Sequence, residues 1–208
     1  MPAPVKTISL PKQHHMQSLT VRSDDAATQS DTNTMEVVWT TGATVKRFGL
    51  IPGTDNFGYY NEALDISPDA VDISFLQTGR APALDSHGSW SVDDIIGVIV
   101  ADSVRKEEDG WVATLEFRDN DKAQAVKRSL LDGTLNNVSV GYKIFKYERD
   151  DSDGVPTFTA RKWQPVEISI VAIGADSDAH TRDDDTVSEL QTHRERLPFS
   201  RFCLGRKA

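Results

Sequence analysis

Three polar residues stand in or beside segments of apolar, strand-like sequence, and their side chains could together carry out acyl transfer. Ser139 lies in residues 136–142, His87 in residues 84–88 and Glu167 in residues 163–171. A serine hydroxyl attacks a carbonyl only when a neighbouring base takes its proton, and imidazole does this near neutral pH if a third group orients it. The candidate nucleophile, base and orienting carboxylate are therefore Ser139, His87 and Glu167.

Period-two alternation supports the placement of the serine and the carboxylate. Ser139 stands between Val138 and Val140, and Glu167 stands between Val166 and Ile168. Because successive side chains in a strand point to opposite faces, each polar group points away from the apolar face of its strand. If the two strands lie close together, both side chains can meet an imidazole presented from the loop at 84–88.

Each assignment has a simpler structural alternative. A serine in a strand is most often a small polar residue on the solvated face. Glu167, which follows Pro165 closely, fits an exposed charge on an edge strand, and Ser169 on the same face favours that interpretation.

Other residues compete for the base and the orienting role. His14, His15, His180 and His193 lie in segments with the composition of tails or of their edges, so position favours His87 as the base. Asp85 is the rival orienting carboxylate, but two residues along an extended segment it points the same way as the imidazole and rarely reaches back to it.

A metal hydrolase is the weaker alternative for the same region. Its ligands would be Asp85, His87 and either Asp93 or Asp94. Aspartate and histidine two residues apart are common by chance, and no second histidine or cysteine ligand stands nearby. No metal or cofactor is predicted.

Bulk properties narrow the class of protein. A chain of 208 residues favours one well-buried domain with tails. The net charge of -9 argues against nucleic acid as a partner. Cys203 is the single cysteine, which excludes an intramolecular disulfide and a cysteine-rich zinc site. The start lacks the apolar core of a signal peptide and no apolar run is long enough for a membrane span, so we expect a soluble protein with no membrane partner.

Hydrophobic periodicity predicts mostly strands with one clear helix. The helix covers 119–133, where Ala123, Val126 and Leu130 share a face and Gly133 suits a left-handed C-terminal cap. A short helix or strand is expected at 71–76. Predicted strands cover 36–40, 45–51, 94–104, 111–118, 139–147 and 166–173, with 94–104 and 111–118 forming a hairpin.

These elements predict an α+β fold that is mainly β. Several strands with few helices favour a β-barrel or sandwich with packed helices over a doubly wound sheet. Residues 1–34 are polar and aperiodic and are expected to be a flexible segment, residues 35–180 form the predicted domain, and residues 181–208 form a flexible charged tail.

The order and character of these segments resemble the prohead serine proteases of tailed bacteriophages, which are related to the herpesvirus assemblins. The resemblance runs from about Phe48 to Ala179. It comprises a histidine after an apolar stretch, a helix ending at 132–135, a strand with the pattern serine, any residue, glycine, aromatic around Ser139, and a last strand with Glu167, Ser169 and Val171. It is this order of motifs, rather than any one of them, that carries the resemblance.

The resemblance implies an antiparallel β-barrel with packed helices and a serine endopeptidase that uses Ser139 and His87. Assemblins use a second histidine as the third catalytic member, and in this chain the resemblance offers His180 as the alternative to Glu167 for that role. It also implies cleavage of scaffold, of the major capsid protein and of the enzyme itself, in the host cytoplasm and procapsid interior, with dimer formation on activation. The chain has Gly88 where relatives commonly have aspartate after the histidine, and Asn136-Asn137 where they have glycines. A catalytically silent capsid-assembly or scaffolding protein with the same fold is therefore the alternative.

Overall fold

The computed structural model describes residues 6–9, 14–20, 33–108, 110–152 and 154–173. Within these ranges the chain is mainly β, with eleven strands and one α-helix. The strands are β1 (Lys6–Ser9), β2 (His14–Thr20), β3 (Thr34–Thr40), β4 (Val45–Leu50), β5 (Phe57–Leu64), β6 (Pro82–Asp85), β7 (Ile95–Ile99), β8 (Arg105–Lys106), β9 (Trp111–Phe117), β10 (Asn137–Asp150) and β11 (Thr157–Val171).

The helix, α1, spans Asp121–Leu131 as the sequence predicts. Asn120 caps its N-terminus, because its side-chain oxygen accepts a hydrogen bond from the amide of Ala123 at 2.9 Å. Gly133 follows the C-terminus with a positive φ of 75°, the left-handed conformation that glycine adopts without steric cost. No helix in the described part of the chain is both long and apolar enough to cross a membrane.

A long antiparallel hairpin of β10 and β11 organises the sheet. Near the free ends of this hairpin β10 pairs with β2 and β11 pairs with β6, whereas near its turn β10 pairs with β1 and β11 pairs with β5. From β6 the sheet continues through β7 and β9 to β3. The short strands β4 and β8 extend it beside β5 and β9.

The prediction of an antiparallel β-barrel with packed helices is wrong. Across the described residues the sheet is open, with β1 and β3 at the ends of its main path. The physical reason is the length of β11, which pairs in parallel with β5 along one half and with β6 along the other. The strands therefore spread from the hairpin in two directions, and one α-helix is too little to surround them.

Several predicted strands are confirmed, and others were missed. Strands β3, β4, β7, β9 and β10 match predicted segments, and β7 pairs antiparallel with β9 as expected for 94–104 and 111–118. The segment 71–76 instead contains a bridge at Val71 and leads into a 3₁₀ turn at Leu76–Thr78. Strands β1 and β2 occupy part of 1–34, for which no element was predicted, whereas 181–208 lies outside the described residues.

An aromatic cluster fills the space behind the hairpin. Trp163 packs edge-on against Tyr142 with ring centroids 5.5 Å apart and against Trp39 at 6.1 Å. All three side chains are almost fully buried. Large aromatic side chains contribute much of the apolar area that a core buries, so this cluster fixes β3 and the hairpin against each other.

A buried carboxylate also ties the hairpin to β5. Glu62 accepts hydrogen bonds from the hydroxyls of Tyr142 at 2.7 Å and Tyr147 at 3.1 Å, and Arg47 lies 3.8 Å away. Burial and the charge of Glu62 raise the pKa of Tyr142 well above its usual value, so the hydroxyl stays protonated and keeps donating. A buried charge needs such donors to offset its lost hydration.

Substitution of Gly97 tests how closely β7, which pairs with β6, must approach β9. A Cβ atom at Gly97 would lie 2.4 Å from the carbonyl oxygen of Glu116, so Gly97→Ala should push the strands apart and destabilise the fold by about 1–3 kcal/mol. Urea unfolding followed by tryptophan fluorescence measures this.

Gly49→Ala is the matched control, because nothing lies within 4 Å of the position where its Cβ would stand. It should leave stability unchanged or raise it by up to about 1 kcal/mol. Equal unfolding midpoints for the two variants would contradict the close approach of β7 to β9.

Candidate active site

One face of the β10–β11 ladder carries the polar residues that the sequence singles out. Ser139 lies directly opposite Ser169, and Gly141 lies directly opposite Glu167. A bulge at Val166 then shifts the register, so that Lys143 lies opposite Gln164. The opposite face is apolar, with Val138, Val140, Tyr142, Ile144 and Ile168 each no more than 1% exposed. The predicted period-two placement of Ser139 and Glu167 therefore puts them on one face, one rung apart.

His87 reaches this face from a tight turn after β6. The amide of Gly88 donates to the carbonyl of Asp85 at 2.8 Å and closes the turn, while Ser86 and His87 both have positive φ, at 53° and 60°. Two consecutive non-glycine residues in this conformation are unusual, and each costs about 1–3 kcal/mol. Backbone strain of this kind is often found at functional sites.

Two hydrogen bonds dock the turn onto β11. The amide of Ser86 donates to the carbonyl of Ile170 at 2.9 Å, which extends the parallel pairing of β6 with β11. The amide of His87 donates to Oγ of Ser169 at 3.2 Å. The strained turn is therefore held by the strand that carries Glu167.

His87 and Glu167 are in direct contact. Nδ1 of His87 lies 2.6 Å from Oε1 of Glu167, and Oγ of Ser169 donates to Oε2 of the same carboxylate at 2.5 Å. A carboxylate beside Nδ1 favours the tautomer with its proton on that nitrogen, which leaves the lone pair on Nε2. This is the arrangement in which a carboxylate orients a histidine base.

Gly141 provides the space that Glu167 occupies. A Cβ atom at this position would lie 2.2 Å from Oε1 of Glu167, the oxygen that contacts His87. Any side chain larger than hydrogen at Gly141 would therefore displace the carboxylate from the imidazole.

Ser139 lies on the rung next to this contact and is 2% exposed. Cβ atoms directly opposite each other in an antiparallel pair lie about 4.5–5.5 Å apart, so Ser139 adjoins Ser169, which binds both His87 and Glu167. The structure thus joins His87 to Glu167 and places Ser139 beside them. The role of Ser139 as a nucleophile stays a prediction.

The rival residues are engaged elsewhere or lie outside the described residues. Asp85 accepts from Oγ of Ser86 at 2.9 Å and pairs with Lys122 at 3.0 Å. Burial raises the pKa of Asp85, but the bonds from Lys122 and Ser86 outweigh it and hold that pKa below its usual value. Within the described ranges no three His, Cys, Asp or Glu side chains converge as metal ligands. His180 lies outside those ranges.

A cavity of about 570 Å³ opens beside the His87 and Glu167 pair. Its apolar walls are Phe75, Pro82, Leu84 and Val166, and its polar lining includes Lys143 and Gln164. Cavities of this size and composition are typical of ligand sites.

Comparison with known protein families gives a match over most of the chain. The family model described as caudovirus prohead serine protease matches residues 44–194, which is more than half of the chain. The chain belongs to the caudovirus prohead serine protease family. The resemblance seen in the sequence is thereby confirmed, and the matched region of this prohead protease homologue contains Ser139, His87 and Glu167.

One relative of this chain is named as a phage capsid protein. The chain is 33% identical over 123 residues to the major capsid protein of Halomonas phage phiHAP-1, which covers 55% of this chain and 19% of the relative. The chain therefore matches about a fifth of that protein's length. No solved structure matches the prohead protease homologue.

Two features of the site were not recognised from the sequence. Ser169 was interpreted as support for an exposed edge, yet it is fully buried and hydrogen-bonded to both His87 and Glu167. Gly141 was noted only by its spacing from Ser139. The sequence did contain a signal for this contact, because a glycine and a glutamate stand in two predicted strands that could pair and bring them opposite each other.

Replacement of Gly141 by alanine should break the contact between His87 and Glu167. In a Ser139→Ala background, the site should show a downfield proton resonance from Nδ1–H bonded to carboxylate. Gly141→Ala should abolish it because the new Cβ displaces Oε1 of Glu167. Gly49→Ala is the control and should retain the resonance. Persistence of the signal in Gly141→Ala would show that Glu167 does not depend on the space at Gly141.

Proposed function

We propose that this chain is a serine endopeptidase that processes capsid and scaffold protein, and itself, during prohead maturation. The observation that carries the proposal is the 2.6 Å contact between Nδ1 of His87 and Glu167, formed on the ladder face that holds Ser139. Membership of the prohead serine protease family supports the same reaction class.

In the proposed reaction, Oγ of Ser139 attacks the carbonyl carbon of the scissile peptide bond while Nε2 of His87 takes its proton. Glu167 stabilises the imidazolium that forms, through the hydrogen bond to Nδ1. The imidazolium then gives its proton to the leaving amine, and the peptide bond breaks to leave an ester on Ser139. A water molecule, deprotonated by His87, hydrolyses the ester and restores the serine.

Ser169 supports this reaction as a positioning residue. Its hydroxyl donates to Glu167 and accepts from the amide of His87, so it fixes the carboxylate and the strained turn relative to each other. Because this hydroxyl donates its proton to Glu167, it is a poor candidate for the nucleophile.

We also propose that the enzyme is inactive before the prohead assembles. Ser139 is only 2% exposed, so a substrate chain reaches it only after the structure around β10 opens. We propose that assembly or dimer formation triggers this opening. A protease made in the host cytoplasm and used inside the procapsid would then stay inactive until it is enclosed with its substrate.

The second candidate function is a silent capsid-assembly protein that retains the protease fold. The observation that favours it is the relative named major capsid protein. In this alternative the contacts among His87, Glu167 and Ser169 would only stabilise the turn after β6.

Replacement of Ser139 by alanine separates the two functions. Wild type incubated with the major capsid protein and scaffold of its phage should give defined fragments in intact-mass spectra, whereas Ser139→Ala should give none, because the nucleophilic oxygen is absent. His87→Ala should also be inactive, and Glu167→Gln should be slower by roughly 10²–10⁴-fold.

Ser152→Ala is the matched control, since Ser152 is exposed in the loop between β10 and β11. It should cleave like wild type. If wild type and Ser139→Ala both leave the assembling partners whole, the endopeptidase proposal is wrong and the silent alternative holds. Equal cleavage by both proteins would assign the activity to another group.

A further inference from the structure

We propose that the cavity beside His87 and Glu167 selects an acidic side chain of the substrate, and that Lys143 binds its carboxylate. This inference rests on the proposed endopeptidase function and adds the chemical class of residue that the site recognises. It is carried by the position of Lys143, by its lack of a charged partner among the described residues and by the apolar walls around it.

Lys143 shares the ladder face of the candidate catalytic residues. It lies four residues after Ser139 on β10, which at the rise of a strand is roughly 13 Å. An extended substrate chain that presents its scissile bond to Ser139 would therefore bring a side chain only a few residues away to Lys143. The distance suits a subsite of the protease better than an independent binding site.

The ammonium group of Lys143 has no acidic partner among the residues that the structure describes. It is half-buried, yet it forms none of the ion pairs seen there, while Glu167 is occupied by His87 and Ser169. Acidic residues outnumber basic ones in this chain, which has a net charge of -9, yet none of the described acidic side chains pairs with Lys143. A half-buried cation loses part of its hydration, and a hydrogen-bonded carboxylate in the same cavity compensates for the free energy lost.

The rest of the cavity fits the stem of such a side chain. Phe75, Pro82, Leu84 and Val166 provide apolar contacts for methylene groups. Gln164, opposite Lys143, is held in place because its amide nitrogen donates to Asp72 at 2.8 Å and to Ser74 at 3.3 Å. The site thus combines an apolar lining with one fixed amide and one cation, which favours glutamate over an uncharged residue.

Cleavage profiling against a library of end-blocked peptides tests the inference. Wild type, activated with its capsid partner, should cleave peptides with Glu or Asp at one position within a few residues of the scissile bond, and it should cleave the matching Gln peptides about tenfold to a hundredfold more slowly. Lys143→Met should lose this difference, and Lys143→Glu should prefer Lys or Arg there. Lys146→Met, on the same strand but exposed and outside the cavity, should keep the wild-type profile.

A binding measurement keeps this test separate from the endopeptidase proposal. The same Glu and Gln peptides are titrated, in the presence of the capsid partner, against Ser139→Ala with and without Lys143→Met. Tighter binding of the Glu peptide that depends on Lys143 supports the inference even if no variant cleaves. Equal binding or cleavage of Glu and Gln peptides by the protein with Lys143 overturns the inference, whereas Ser139-dependent cleavage without such selectivity leaves the endopeptidase proposal intact.

Discussion

Near its free ends the β10–β11 hairpin buries both of its faces, and the rest of the structure depends on this constraint. On one face Val140 and Ile168 meet the aromatic core, and on the other Ser139 and Ser169 are covered almost as completely. Polar groups can be buried only if they find hydrogen-bond partners. Glu167 meets this requirement through His87 and Ser169, so the same bonds that make the second face stable also assemble the candidate site.

The turn after β6 shows how the site is stabilised against its own strain. Ser86 and His87 adopt a conformation that non-glycine residues rarely take, and the bonds from their amides to Ile170 and Ser169 hold them there. On the other face Glu62 is satisfied by Tyr142 and Tyr147. Glu62 and Glu167 are thus buried carboxylates on opposite sides of the hairpin, and their hydrogen bonds fix the position of β10.

Features of the fold and the site that depend on local sequence pattern could be predicted from the sequence. Alternation around Ser139 and Glu167 placed both on one face, and the helical spacing and caps of α1 were sufficient to predict it. Strand β5 was missed because turn-forming residues such as Pro52-Gly53 and Ser67-Pro68 flank it and favour a loop, although Glu62 within it is buried by partners far away in sequence. The first half of β11 was missed for a similar reason.

What the sequence left open depends on pairing between distant segments. The parallel pairing of β11 with both β5 and β6 opens the sheet, and neither partner can be recognised from the pattern of β11 alone. The role of Gly141 becomes visible only when the register places it opposite Glu167. The sequence pattern suggested that Ser169 lies at the surface. Its position between His87 and Glu167 likewise depends on how distant segments pair.

Covalent labelling with a fluorophosphonate tests whether His87, oriented by Glu167, activates Ser139. The protein is treated in the presence of its capsid partner, and the modified residue is identified by tandem mass spectrometry. The account predicts an adduct on Ser139 that forms much more slowly in Glu167→Gln and is lost in His87→Ala. An adduct on another serine such as Ser169, or labelling of Ser139 that is unchanged in His87→Ala, would contradict it.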